Sequence, residues 1–399
     1  VRDVFILDKN VIQAEDVALL YASSRIILVG DGRTMQEQIK EEELIQVREN
    51  PIIQSQKLVH QSLKRPELIL YNGLGGFTPT GDEYVIHLEK GKQTPAPWIN
   101  VIANPNFGFL VSEAGSSTTW ADNSFESKLT PWSNDAVSDM PGEVLYLHDE
   151  ETHSSWTNTA LPIREEEDYL ITHGYGYSIF EHISHGIKQR STVFVPLEEP
   201  LKLNIVSIKN ISEQRRSLSL TLVIKPILGA NDQNNHLLVK SRVIKDDVLI
   251  IENPRSSAFE NKQVFMDVSV NERSWTTDRK AFFGAGGLLE PASLMDTQLD
   301  GMLGTGFDQC GAIQVKVILE PNESREIVFM LGVGTTDEAV LRMCEPYHQE
   351  GKAQATLMEV KAFWKDKLNQ VRVKTPSISM DLLLNGWLQY QTIACRLWG

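Results

Sequence analysis

Cysteine is scarce in this chain of 399 residues: Cys310, Cys344 and Cys395 are odd in number and far apart. That argues against a disulfide framework and for a reducing compartment, so the expectation is a cytoplasmic protein. Long apolar runs are missing too. No window approaches the roughly 18 consecutive apolar residues of a membrane-crossing helix, so a soluble chain without membrane contact is expected. Positive charge is in deficit, with 38 Lys and Arg against 53 Asp and Glu and a net charge of −15. A surplus of that sign repels polyanions, which argues against nucleic acid as a partner. No Ser, His and Asp arrangement with a nucleophile-elbow sequence is present. The chain opens on Val1 without an initiator Met or a charged-then-apolar leader, so its start reads as a cut.

What is present is ordinary for a folded protein: 41% apolar, 23% charged and 8% aromatic residues. Such a composition can bury a core, and the length suggests two to three domains. Residues 13–29 place Val17, Leu20 and Tyr21 at helical spacing, with Glu15 and Asp16 in the first turn where the helix dipole favours acids. Residues 34–63, rich in Glu, Gln and Lys and broken by Pro51, suggest two further amphipathic helices. Residues 1–66 therefore read as a helical connector or the remnant of a preceding domain.

After Pro66 short apolar runs are punctuated by Gly, Pro, Asn and Asp about every eight to twelve residues, the texture of an antiparallel all-β domain. Alternation is clearest at Leu201, Leu203 and Ile205, at Leu218 to Ile224, and at Ile313 to Leu319. Pro321-Asn322 then turns the chain into Ile327, Phe329 and Leu331. A mainly β fold, a large sandwich over 67–334, follows from this pattern. Helix resumes at Thr335, where Thr335 and Glu338 read as a capping box. A second helix, Ala353 to Leu368, carries Leu357, Val360, Phe363 and Trp364 on one face, and the linker spans 335–375. A third, from Ser379, lines up Leu383, Trp387, Tyr390 and Ala394. A helix this apolar needs a partner, so 376–399 is expected to open an α-helical domain.

Several stretches could carry chemistry. The run Asn72 to Phe77 is glycine-rich, but Thr78-Pro79-Thr80-Gly81-Asp82 after it is turn chemistry, so a tight β-connection is expected rather than a phosphate loop. His182 and His185 resemble a metal pair, yet strand alternation puts them on opposite faces, and a hydrogen-bonded surface pair is the expectation. The three cysteines read as buried small hydrophobes. The most informative stretch is 115–149. Trp120 and Trp132 stand twelve residues apart among Asn123, Ser124, Lys128, Thr130, Asn134 and Asp135. Indole faces stack on a pyranose while amides and carboxylates bond its hydroxyls; a long polar loop pinned by two tryptophans accounts for the same residues equally well. His173-Gly174-Tyr175-Gly176-Tyr177 with Glu181 repeats the mixture less specifically.

The run Asn72 to Phe77, then Pro95 to Asn104, Trp120 to Asp135, Asp149 to Thr152 and His173 to Tyr177, resembles glycoside hydrolase family 94, the inverting glycoside phosphorylases. The wording is nearest the branch with 1,2-β-oligoglucan phosphorylases and the phosphorylase-like region of cyclic β-1,2-glucan synthases. The resemblance implies a galactose-mutarotase-like β-supersandwich, a helical linker and the first helix of an (α/α)6 barrel. It implies inorganic phosphate as co-substrate, no further cofactor, a β-glucan substrate and a possible homodimer. The general acid and most phosphate ligands would lie beyond Gly399, so no catalytic residue is assigned, and Asp135, Asp139 and Asp149 are not promoted to that role. Trp120, Asn123, Ser124, Lys128, Thr130, Trp132, Asn134 and Asp135 match a sandwich loop that lines the acceptor-side sugars.

Overall fold

The computed structural model describes residues 12, 16–17, 19–20, 28, 30, 32–35, 62–230, 238–245 and 248–399. The chain divides into two units, Val1–Pro51 and Ile52–Gly399. In the first, Asp16, Val17, Leu19 and Leu20 are helical, within the span where spacing predicts a helix. The remainder of that helix and almost all of the two expected within 34–63 lie outside the described residues.

Among the described residues the strands of the second unit form three antiparallel sheets. The largest runs, in spatial order, Gly75–Phe77, Glu83–Leu88, Tyr169–Gly174, Tyr177–Ser184, Ile187–Phe194, Leu201–Asn210, Ser324–Gly334, Gln263–Val268, Val248–Glu252, Lys240–Ile244. A second sheet is ordered Arg273–Asp278, Gln309–Leu319, Arg216–Ile224, Glu143–Asp149, Ser155–Thr157. The third comprises Ile99–Asn104, Phe107–Ser112 and Ser117–Ala121. The chain is thus mainly β, an antiparallel supersandwich followed by helices.

The two large sheets meet through Leu218, Leu220, Leu222 and Ile224 on one side and Val206, Ile208, Ile327, Phe329 and Leu331 on the other. Each such side chain taken fully out of water contributes about 1.5–3 kcal/mol. The opposite face of the large sheet is also covered. Leu201, Leu203, Ile205, Val328 and Met330 point away from the second sheet and pack with Val340, Val360, Trp364 and Tyr390 of the helices. Alternation therefore separates two buried faces here, not a buried face from a wet one.

The turns at Asn210 to Arg216 and Pro321-Asn322 are corners between sheets, since each joins a strand of one large sheet to a strand of the other. They lock together: Asn322 N donates to Asn210 O at 2.9 Å, and Asn210 Nδ2 donates to Leu319 O at 3.1 Å. Asn322 sits at φ +65°, a conformation asparagine tolerates.

Helix Asp337–Cys344 is capped by Thr336, not Thr335; its extended backbone lets Oγ1 accept from Ala339 N at 3.2 Å. Glu338 then falls one place short of a capping-box position. Helix Lys352–Asn369 buries Ala353, Thr356, Val360, Trp364 and Leu368, with Leu357 and Phe363 at the margin. A last helical rod runs through Ile378–Leu382, Leu383–Trp387, Leu388–Thr392 and Ile393–Leu397, with wider π-type turns in its second and fourth segments. Tyr390 and Ala394 on this rod are fully buried, while Leu383 is exposed. Cys310 and Cys344 are buried as expected, but Cys395 is exposed, because it lies on the outer side of the rod.

Candidate carbohydrate-site rim

The loop from Asp122 to Gly142 leaves strand Ser117–Ala121 and returns in strand Glu143–Asp149. Its base is tied by a buried carboxylate. Glu143 Oε1 accepts from the hydroxyls of Thr119 and Thr130, the latter at 2.8 Å, and Oε2 accepts from Lys202 Nζ at 2.7 Å. Lys202 also donates to Ser117 Oγ at 2.7 Å and lies 4.1 Å from the centre of the Phe109 ring. Burial pushes the Lys202 ammonium below its ordinary range, opposed by the Glu143 charge. Buried charges persist only when paired and hydrogen-bonded in this way, so this pair fixes the root of the loop.

The residues expected to line a sugar site divide into three groups. Trp120, Lys128 and Thr130, expected in the lining for acceptor-side sugars, are buried in this structure. The Trp120 indole is 3% exposed and lies over Gly108, where an added Cβ would fall 2.6 Å from Trp120 Cζ2. Lys128 Nζ is spent on the carbonyls of Phe125 at 2.7 Å and Ala230 at 3.1 Å, and burial lowers its pKa. Thr130 bonds Glu143 as described. Asn123 and Asp135 are exposed but hold their own turns. Asn123 Oδ1 accepts from Phe125 N and Glu126 N, and Asp135 accepts from Val137 N at 2.9 Å and Ser138 Oγ at 2.7 Å. The hydrogen bonds of Ser138 and Val137 hold the Asp135 carboxyl below the usual carboxylate range. Trp132, 51% exposed, and Asn134 remain at the surface, with Ser124 half-buried. Beside them a groove of about 210 Å³ is lined by Pro131, Ser133, Met140, Arg279, Phe283 and Leu288. Lys225 lines it too, and the Arg279 guanidinium is already paired with Asp308 at 3.0 Å, so the exposed Trp132 indole is the group suited to stack on a hydroxylated ring.

Other motifs serve the framework. Asp149 is buried against Arg216, whose Nε donates to Asp149 Oδ2 at 2.8 Å, and Asp139 accepts from Ser112 Oγ at 2.6 Å. His173 is buried and its pKa falls to about 4 through burial; Nε2 donates to Trp98 O at 3.1 Å while Nδ1 accepts from Ser178 Oγ at 2.8 Å. Gly174 and Gly176 of the same motif make room for the Tyr177 ring and the Trp364 indole. The motif is thus the seat of the helices, a role its composition did not disclose. The Asn72 to Phe77 run is a tight connection: Gly73 has φ +101°, and Asn72 Oδ1 accepts from Leu74 N and Gly75 N.

His182 and His185 are not a surface pair on opposite faces. Strand pairing stops at Ser184, and His185, at φ +51°, swings back so that both rings reach one carboxylate. His182 Nε2 lies 2.8 Å from Glu165 Oε2, and His185 Nε2 lies 2.6 Å from Oε1. His182 is fully buried and stacks on Tyr169 at 4.0 Å, while His185 stacks on Trp156 at 4.3 Å. Burial raises the Glu165 pKa, but the two imidazoles outweigh it and bring it down to about 2. Among the described residues no group of three or more His, Cys, Asp or Glu side chains could hold a metal ion. Sequence reasoning missed Glu143–Lys202, although Lys202 within the apolar alternation of its strand was a visible anomaly.

Fold and site define an antiparallel supersandwich followed by helices. Residues 82–350 match the family described as "Glycosyl hydrolase 94, supersandwich domain", and residues 363–399 match "Glycosyl hydrolase 94 superfamily, catalytic domain". The chain belongs to glycosyl hydrolase family 94. It is 30% identical over 412 aligned residues to the cyclic beta-(1,2)-glucan synthase NdvB of Rhizobium meliloti, covering 99% of this chain and 14% of that one. It is 26% identical over 351 residues to the N,N'-diacetylchitobiose phosphorylase of Vibrio proteolyticus, covering 81% of this chain and 41% of that one. The chain therefore spans well under half the length of these relatives. A GalM/aldose epimerase homologue from C. elegans superposes with TM-score 0.37 at 9% identity, over 61% of this chain and 100% of that one. Among the described residues no helix is long and apolar enough to cross a membrane.

Proposed function

We propose that this chain is the sandwich, linker and first catalytic-domain helix of an inverting phosphorylase of 1,2-β-oligoglucans. The observation that carries the reading is the family match itself, which runs through the sandwich at 82–350 and resumes in the helices at 363. In that reaction inorganic phosphate attacks the anomeric carbon of the terminal glucose, and a carboxylic acid protonates the leaving oxygen. The products are α-glucose 1-phosphate and a glucan shorter by one unit. A phosphate dianion is nucleophilic enough to need no second carboxylate as base, so one acid does the work of the usual pair. This chain's part is the rim: Trp132 offers an indole face to an acceptor-side sugar, with the exposed Asn134 two residues further on, in one protomer or across a homodimer. Three cysteines without a disulfide among the described residues favour the cytoplasm.

A second reading is favoured by the alignment to NdvB over 99% of this chain: the same region within a cyclic β-1,2-glucan synthase. Phosphorolysis assays of the full-length protein with β-1,2-glucooligosaccharides or cellobiose and phosphate decide the matter. α-Glucose 1-phosphate from the β-1,2 substrate supports the phosphorylase. No product from any β-glucan leaves a sandwich that binds or scaffolds without turnover and overturns the proposal.

A further inference from the structure

The last helical rod is fastened to the sandwich at a buried point. Tyr390 and Asn100 are both fully buried. The Tyr390 hydroxyl donates to Val101 O at 2.7 Å, and Asn100 Oδ1 stands 3.0 Å from it. The Asn100 amide in turn donates to Gly174 O at 2.9 Å and to Tyr177 O at 3.0 Å, so it ties strand Ile99–Asn104 to the largest sheet. Trp364 and Tyr175 pack around the Tyr390 ring, with centres 4.7 and 5.4 Å away. Apolar packing of this kind is non-directional and tolerates a shift of the rod. The hydroxyl needs its acceptor at one distance and in one direction, so it is the group that fixes the register.

From Val101 a single row of residues crosses the third sheet. Val101 pairs with Leu110, and Leu110 pairs with Thr118. Each step spans about 4.8 Å, the spacing of neighbouring strands. Thr118 is buried, and its Oγ1 donates to Pro131 O at 2.7 Å. The next residue is Trp132, whose indole is exposed. The loop follows the same edge strand just before this point, where Leu129 N and Thr130 N both donate to Thr119 O, at 2.8 and 3.3 Å. The Glu143–Lys202 pair holds the loop to the sandwich alone. The row through Thr118 reaches further, to a helix within the residues that match the catalytic domain.

We propose that Tyr390 and Thr118 are positioning residues, the two ends of a row that sets where the Trp132 indole stands relative to the catalytic-domain helix. The inference rests on the proposed phosphorylase, in which Trp132 stacks on an acceptor-side sugar. Its physical basis is rigidity. Every link is a backbone pair within a sheet or a hydrogen bond to a carbonyl, and Tyr390, Val101 and Thr118 are all buried. Stacking contributes only at a fixed separation and tilt, so a contact far from the reacting bond governs how well the sugar is held. Neither Tyr390 nor Thr118 is exposed to bind the sugar itself.

Phosphorolysis of a β-1,2-glucan by the full-length protein tests it, together with hydrogen exchange on the same protein. Tyr390→Phe keeps the ring packing and removes the hydroxyl, and Thr118→Val removes the hydroxyl at the far end of the row. Each should raise the glucan KM about three- to tenfold and leave kcat and the phosphate KM unchanged, the mark of binding lost away from the reacting bond. Each should also speed exchange at the Leu129 and Thr130 amides. Trp132→Ala should raise the glucan KM by less in either variant than in the parent, because the indole is already misplaced there. Thr118→Val carries the test alone should Tyr390→Phe fail to fold. An active parent with an unchanged glucan KM in the variants, or losses that multiply with that of Trp132→Ala, overturns the row and leaves the phosphorylase standing. A parent without product overturns the phosphorylase. Unchanged exchange at Leu129 and Thr130 would then overturn the row as well, whereas faster exchange would keep it as the brace of the loop.

Discussion

The Tyr175 hydroxyl occupies the space in which a side chain at Gly386 would begin: a Cβ built on Gly386 falls 2.0 Å from Tyr175 Oη. Tyr175 belongs to the sandwich and Gly386 to the last helical rod, so this contact sets how closely the two approach. The Trp387 and Tyr390 rings, 4.8 and 5.4 Å from that of Tyr175, complete the contact.

Gly386→Ala should therefore destabilise the fold, although helix propensity alone favours alanine by about 1 kcal/mol. Overpacking of this kind costs about 1–3 kcal/mol, and removing the hydroxyl with Tyr175→Phe should restore part of it. Chemical denaturation of the two single variants and the double variant measures both effects. A Gly386→Ala protein as stable as its parent would show that the rod shifts freely.

Glu165 predicts an acid-sensitive fold. Its pKa is depressed to about 2 in the folded state against an ordinary value of 4.5, so its contribution is complete above about pH 5 and is lost as pH falls toward 2. Both ring nitrogens of His182 face oxygen atoms, Asp168 O at 3.0 Å and Glu165 Oε2 at 2.8 Å, so the ring is held from two sides. Glu165→Gln should lower stability at pH 7 by on the order of 1–3 kcal/mol and flatten its decline between pH 5 and 2. Urea melts across that range give the comparison; an unchanged slope would refute the coupling.

The two tryptophans of the rim stretch should separate cleanly. Trp132→Ala should weaken glucan binding by more than about 1 kcal/mol in calorimetry while leaving the melting temperature nearly unchanged. Trp120→Ala should instead cost about 3–5 kcal/mol of stability, as expected for a buried aromatic. Unaltered glucan affinity in Trp132→Ala would remove the loop from the site.

Glu143→Gln and Lys202→Met should each destabilise by roughly 3–5 kcal/mol, because each strands a buried charge or polar partner. The double variant should lose less than the sum of the two. Additive losses in a double-mutant cycle would mean that the two side chains act independently at the loop root.

Much of the architecture was legible in the chain because a period of two or of 3.6 residues follows from backbone geometry alone. The alternation at Leu201 to Ile205, the stripe of Val360 and Trp364, and the switch to helix after Gly334 are local patterns, and local patterns survive without tertiary information. The capping residue was displaced by one, to Thr336, because two adjacent threonines offer the same chemistry and only the backbone angles choose between them.

The sequence by itself determined the order of strands and helices, the acidic surface charge and the motifs of the family. Tertiary structure alone decided which side chains a ligand can reach. Trp120 and Trp132 are chemically identical, yet strand pairing carries Trp120 over Gly108 while Trp132 stands beyond the last pair. His182 and His185 alternate in sequence and converge in space, because a positive φ ends the strand between them. Lys361 meets Glu83, and Lys365 and Arg372 meet Asp82, across more than 270 residues of chain, as their numbering shows. Periodicity reports which faces an element has, but what covers each face depends on packing against distant segments.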